Sequence, residues 1–313
     1  MSQAIGICFG PEHITVSKAG DGDSFDHIDC HSASPAYQEF FQLVLQKRVQ
    51  GDLNSRPREQ VPDTYHVPPP SQSGDVENML REELEAVIER IPDAAKIVPT
   101  ITIPYHWNFT VQRATFKAAE GAKIPLAGIH MLLRMPRAVE RAYKLDSRIV
   151  LDDYFFIVVD YNTEYMHLLI CETAKGGGYG IVEGQVQLAH LGENSGSREG
   201  YREAVIEAIN KFISLTTVEG ESWIDVKPPY HLIKAVLLSG NASSRGTEQV
   251  REVLQQVFEP SLIRDSYPPL YAGAIGAAGA AKGQIENPKS TDDFICAPFD
   301  IPDEPKPVWM AER

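Results

Sequence analysis

The stretch "YAGAIGAAGAA", residues 271–281, constrains this chain more than any other. It reads as a helix with almost no side chain to bury, and each interior glycine costs a helix roughly 1 kcal/mol relative to alanine. Such a helix persists only where neighbouring backbone comes too close for a side chain. Residues 268–283 are therefore expected to pack very closely against the rest of the protein. The 313 residues, 43% of them hydrophobic, suffice for one large two-lobed body or two ordinary domains.

Upstream, the periodicities alternate between strand and helix. "AIGICFGPEHITVSKAG" (4–20) predicts two strands joined by a tight turn at Gly10 and Pro11. "SPAYQEFFQLVLQKRVQ" (34–50) predicts a helix with Ser34 as its cap, and "DVENMLREELEAVIERI" (75–91) a second, opened by Asp75. Between them, residues 51–75 carry prolines and charges with few aliphatic residues and are expected to form an exposed, mobile loop. "AKIVPTITIPYHW" (95–107) predicts a strand, "TVQRATFKAAEGA" (110–122) a helix closing at Gly121, and 127–145 a short strand running into a helix near Pro136. Three strands are expected in 154–192, a helix in 198–215, and a buried strand, loop and helix in 233–258. Residues 284–313 form a proline-rich acidic tail with apolar patches, read either as a strap on the protein's own surface or as a partner-docking motif.

Charge narrows the function classes. Against 29 basic residues stand 43 acidic ones, for a net charge of −14, which disfavours nucleic acid and anionic membrane as partners. Cys8, Cys30, Cys171 and Cys296 lie far apart without metal spacing, as expected of reduced thiols in a cytoplasmic or nuclear protein. The start "MSQAIGICFG" lacks a secretory signal, and no window has the ~20 apolar residues of a membrane span.

In "AKGGGYG" (174–180), three consecutive glycines read either as a phosphate-cradling loop or as a hairpin tip. The order of the surrounding blocks favours the hairpin. "TITIPYHWNFTVQRATFKAAEGA" followed by "LLRMPRAVERAYKL", with "GICFGPEHITVS", "FFIVVDYNTEYMHLLICE", "AVLLSGNASSRGTEQVREVL" and "YAGAIGAAGAA", resembles the nucleotide-binding domain of the seventy-kilodalton heat-shock chaperones. The resemblance covers roughly 3–283 and implies an α/β, actin-like (ribonuclease H-like) ATPase fold: a first lobe at 1–150 and a second at 151–283 around a cleft. It also implies that the phosphate glycines belong in "DYNTEY" (160–165), one strand before the glycine run.

Against that pattern the chemistry is depleted. The resemblance puts Cys8 and Met135 where the family carries acids that serve Mg²⁺ and water, and leaves Asp160 as the one retained catalytic candidate. Pro11 removes an N–H donor from the first turn, while Glu12 and Glu164 are expected to bring carboxylates where phosphate would sit. The positions matching the family's cleft are Gly10, Glu12, His13, Asp160, Asn162, Gly240 and Asn241. Residues 197–234 are too few for the sublobe that covers adenine in the family, and no peptide-binding domain is expected after Gly283.

Each residue also has a plain reading. Asp160 suits a turn after an apolar strand, Gly240 a strand-to-helix loop, and His13 and His167 lack partners at metal spacing. The reading that follows is a non-catalytic pseudo-ATPase that binds or scaffolds a protein partner, with no metal and no cofactor. The alternative is a divergent ATP-binding protein or weak ATPase using ATP or ADP with Mg²⁺. A dinucleotide oxidoreductase fails because no GxGxxG opens a helix after a strand.

Overall fold

Seven residues of β-branched and small apolar character, QAIGICF, form β1 (Gln3–Phe9), which turns back into β2 (His13–Ala19). The computed structural model describes residues 2–49, 70–126, 131–143, 154–174, 178–217 and 230–286. A third strand, β3 (Phe25–Ser32), continues the antiparallel run. Its sequence FDHIDCHS lacks apolar alternation because it lies at the sheet edge, with Asp26 and His27 exposed.

Helix α1 (Pro35–Val49) starts as expected, the Ser34 hydroxyl accepting the Tyr37 N–H at 3.2 Å. Helix α2 (Pro70–Ile88) corrects the sequence reading: it begins at Pro70, so 70–75 belong to the helix and not to the loop. A proline at the first helical position loses no intrahelical hydrogen bond, which lets the helix start there. The rest of the expected loop, 50–69, lies outside the described residues. There follow β4 (Ile97–Ile103), α3 (Phe109–Gly121) with Asn108 as cap, β5 (Leu132–Arg134) and α4 (Met135–Ala142), with Pro136 in its first turn.

The second half repeats the plan. Strands β6 (Tyr154–Tyr161), β7 (Met166–Ala174) and β8 (Gly178–Leu188) run antiparallel, then come α5 (Tyr201–Thr216), β9 (Ile233–Ser239), α6 (Ser244–Val257), β10 (Ile263–Arg264) and α7 (Pro269–Glu286). Ala174 faces Gly178 across the antiparallel β7–β8 pair, while Lys175, Gly176 and Gly177 lie outside the described residues. The tail from 287 onward, and with it the choice between strap and docking motif, also lies outside them.

Both sheets are mixed and have five strands, ordered β3-β2-β1-β4-β5 and β10-β9-β6-β7-β8. Read outward from its first strand, each half pairs that strand antiparallel with the second and parallel with the fourth. Even the register repeats: Phe9 faces Ile14 as Tyr161 faces Met166, and Cys8 faces Thr15 as Asp160 faces His167. Among the described residues, two α-helices, α1 and α2, lie between β3 and β4, and one α-helix, α5, lies between β8 and β9.

The closing helices cross over. Helix α7, although it ends the second half, lies against β1, β2 and β4 of the first sheet, while α4 packs Met135 and Val139 on Phe156, Val158 and Leu237 of the second. The helices touch where a Cβ on Gly276 would lie 1.7 Å from the Ala138 carbonyl oxygen. A Cβ on Gly6 of β1 would lie 1.9 Å from the Ala274 carbonyl oxygen, and one on Gly273 would lie 2.5 Å from Cys8 Sγ. Close backbone approach is thus met at Gly276, whereas Gly273 makes room for the Cys8 side chain. Gly279 is different, since a Cβ there would only touch the Phe25 ring at 3.8 Å. Among the described residues, no helix is long and apolar enough to cross a membrane.

Candidate functional site

Two tight turns face each other across the seam between the halves. In the first, Gly10 N–H donates to His13 O at 2.9 Å, with Pro11 and Glu12 at the tip. In the second, Asn162 N–H donates to Tyr165 O at 2.9 Å, with Thr163 and Glu164 at the tip. The turns are bonded to one another: the Thr163 hydroxyl donates to Glu12 Oε1 at 2.7 Å.

Between the turns lies a cavity of about 40 Å³, far below the several hundred of a nucleotide pocket. Six of the seven positions read from the sequence line it: Gly10, His13, Asp160, Asn162, Gly240 and Asn241. Glu12, the seventh, holds the Thr163 bond at its edge. Cys8, Met135 and Ser239 complete the wall beside Asp160.

Glu164 corrects the sequence reading. It is exposed and does not line the cavity, while the backbone of its turn packs against Gly192. The group that does enter is its neighbour Tyr165, 2% exposed. His167 sits buried on β7 with Nε2 3.2 Å from Gln185 Oε1, as a strand histidine with an ordinary partner.

Asp160 is 6% exposed, and burial raises its carboxyl from 3.8 to about 6, against the pull of hydrogen bonds from Asn162, Ser239 and Tyr165. The Ser239 hydroxyl lies 3.1 Å from Asp160 Oδ1 and 3.4 Å from Met135 Sδ. Burial, with Asp160 nearby, pushes the Cys8 thiol up to about 12, so it stays protonated and unreactive. No group of three or more His, Cys, Asp or Glu among the described residues is arranged to hold a metal ion.

Gly240, at φ 117°, has no room for a side chain: a Cβ there would lie 2.0 Å from the Tyr161 carbonyl oxygen. Asn241 closes the same junction, its N–H donating to Asn162 Oδ1 at 3.0 Å and its Oδ1 accepting the Thr163 N–H at 3.1 Å. A carboxylate the sequence reading passed over, Glu193, accepts the Ser243 N–H at 2.7 Å and occupies the N-terminus of α6. Only its place in "GENSG", before a turn, hinted at this. No protein-family model matches the chain, and no curated protein matches it at a significant level.

Proposed function

We propose that this chain is a non-catalytic, pseudo-ATPase relative of the chaperone-type nucleotide-binding domain, on an actin-like fold, acting as a protein-binding or scaffold module. Two mixed sheets of one strand order, with crossed closing helices, support the fold assignment. The observation that carries the functional reading is the Thr163–Glu12 hydrogen bond, which joins the two turns that the resemblance assigns to phosphate. A phosphate there would have to displace it and meet the Glu12 carboxylate in a poorly solvated cleft, while Pro11 offers no N–H in exchange. Nor, among the described residues, does the lining include a lysine or arginine to balance a triphosphate.

What remains for such a body is shape: two halves fixed in one arrangement, offering surfaces to a protein partner. Titration calorimetry with ATP and ADP, with and without Mg²⁺, tests this. We expect no affinity tighter than about millimolar. At a ligand concentration equal to such a dissociation constant, the stability gain is only about 0.4 kcal/mol, so the melt should stay single and nearly unmoved. Micromolar binding that requires Mg²⁺ would overturn the reading in favour of a divergent ATP-binding protein.

A further inference from the structure

The core of the first half is built from residues between Ile5 and Leu132, with one exception among those described: Tyr165. Its neighbours in sequence, Tyr161 and Met166, belong to the core of the second half. While α4 and α7 cross as whole helices, Tyr165 crosses as one side chain from a turn, buried in the same cluster as Phe9, Tyr37 and Phe41 of the first half.

The turn that presents Tyr165 is held firmly from its own side. Besides the Asn241 bonds, Glu193 N–H donates to Asn162 O at 3.0 Å and Asn194 N–H to Thr163 O at 2.8 Å. A Cβ on Gly192 would lie 2.2 Å from the Glu164 carbonyl carbon, so the two loops are in backbone contact. Clamped in this way, the turn cannot swing to follow the first half, and Tyr165 joins the halves through its ring. Its hydroxyl donates back to Asp160, which fixes the ring's depth. The corresponding residue of the first turn, His13, is only half-buried.

We propose that Tyr165 is an intramolecular lock, holding the two halves closed around the cleft as a bridging ligand would. The burial of one aromatic ring, on the order of 150–250 Å² of surface, then stands in for ligand contacts. The proposal rests on the reading of the cleft as free of nucleotide, and it is tested separately from it.

The test is hydrogen–deuterium exchange on the full chain, comparing Tyr165→Ala with the unaltered protein, with p-cresol as a replacement for the missing side chain. A lock predicts about tenfold faster exchange confined to the seam, at 9–13, 239–242 and the first turn of α7, with strand interiors unchanged. Millimolar p-cresol should return that protection by refilling the vacated space. Tyr165→Phe, which keeps the ring, should stay within about threefold of the unaltered protein. Even acceleration across both sheets, no acceleration at all, or failure of p-cresol to restore the seam would overturn the lock. If Tyr165→Ala is insoluble, Tyr165→Leu is read by the same map: loss confined to the seam supports the lock, and even or absent loss overturns it. Nucleotide titration of the unaltered protein bears on the earlier reading alone.

Discussion

The two halves of the chain share strand order, direction and register, yet corresponding positions have different roles. Glu12 and Glu164 both sit at the second place of a two-residue turn; Glu12 reaches across to Thr163, whereas Glu164 is exposed. His13 and Tyr165 follow them; Tyr165 enters the opposite core and His13 stays half-buried. Cys8 and Asp160 correspond too, one an apolar thiol and the other a buried acid. The closing helices diverge as strongly: α4 has eight residues and an Arg137–Glu140 ion pair, while α7 has eighteen residues and is buried through its small-residue middle. A repeated backbone thus sets where side chains start, and the one-sided closure of the halves sets where they end.

The sharpest way to break this picture is at the helix crossing. Gly276→Val would drive a branched side chain into the Ala138 backbone. Overpacking against backbone that cannot yield should cost roughly 4 kcal/mol, or prevent soluble expression. A melting temperature within a degree of the unaltered protein would show that α4 and α7 do not meet there.

Next in size is the difference between Cys8 and Asp160. The Asp160 carboxyl titrates at about 6 folded and 3.8 at its ordinary value. Between those values the folded protein holds a proton that the unfolded chain has lost. The stability gained is complete below about pH 4 and is lost as pH rises through about 6, a change of about 3 kcal/mol. Asp160→Asn lacks that titration, so its melting temperature relative to the unaltered protein should climb between pH 4 and pH 7. Parallel pH profiles for the two proteins would place the carboxyl in water.

The turn-to-turn bond is a smaller matter. A double-mutant cycle of Glu12→Ala and Thr163→Val, read by urea unfolding, should give a coupling of about 1 kcal/mol. Zero coupling would mean that the turns lie close without acting on one another. Smallest is the third glycine of α7. Gly279 has room for a Cβ, so Gly279→Ala should stabilise the protein by up to about 1 kcal/mol. A clear loss at that position would show the α7 interface to be tighter than its geometry.

Local pattern made much of this legible. Apolar periodicity announced most strands and helices, and Ser34 announced the start of α1. It missed β3 because an edge strand need not alternate, and β10 because two residues carry no period. It started α2 late because proline and serine are poor helix formers that a first turn tolerates. The cleft was legible as a set: the seven chosen positions meet there because chain order and strand lengths bring the turns together.

The sequence by itself determined that α7 must be tightly packed, because a glycine-rich helix has no other source of stability, and that the first turn has lost an N–H donor at Pro11. Only the tertiary structure decided which glycines are needed, that Glu164 is exposed while Tyr165 crosses into the other core, and that Glu12 bonds to Thr163. Those outcomes depend on groups more than a hundred residues apart meeting at one seam. Side-chain spacing within a segment carries no information about such meetings, because burial, hydrogen bonding and steric contact are set by the partner surface.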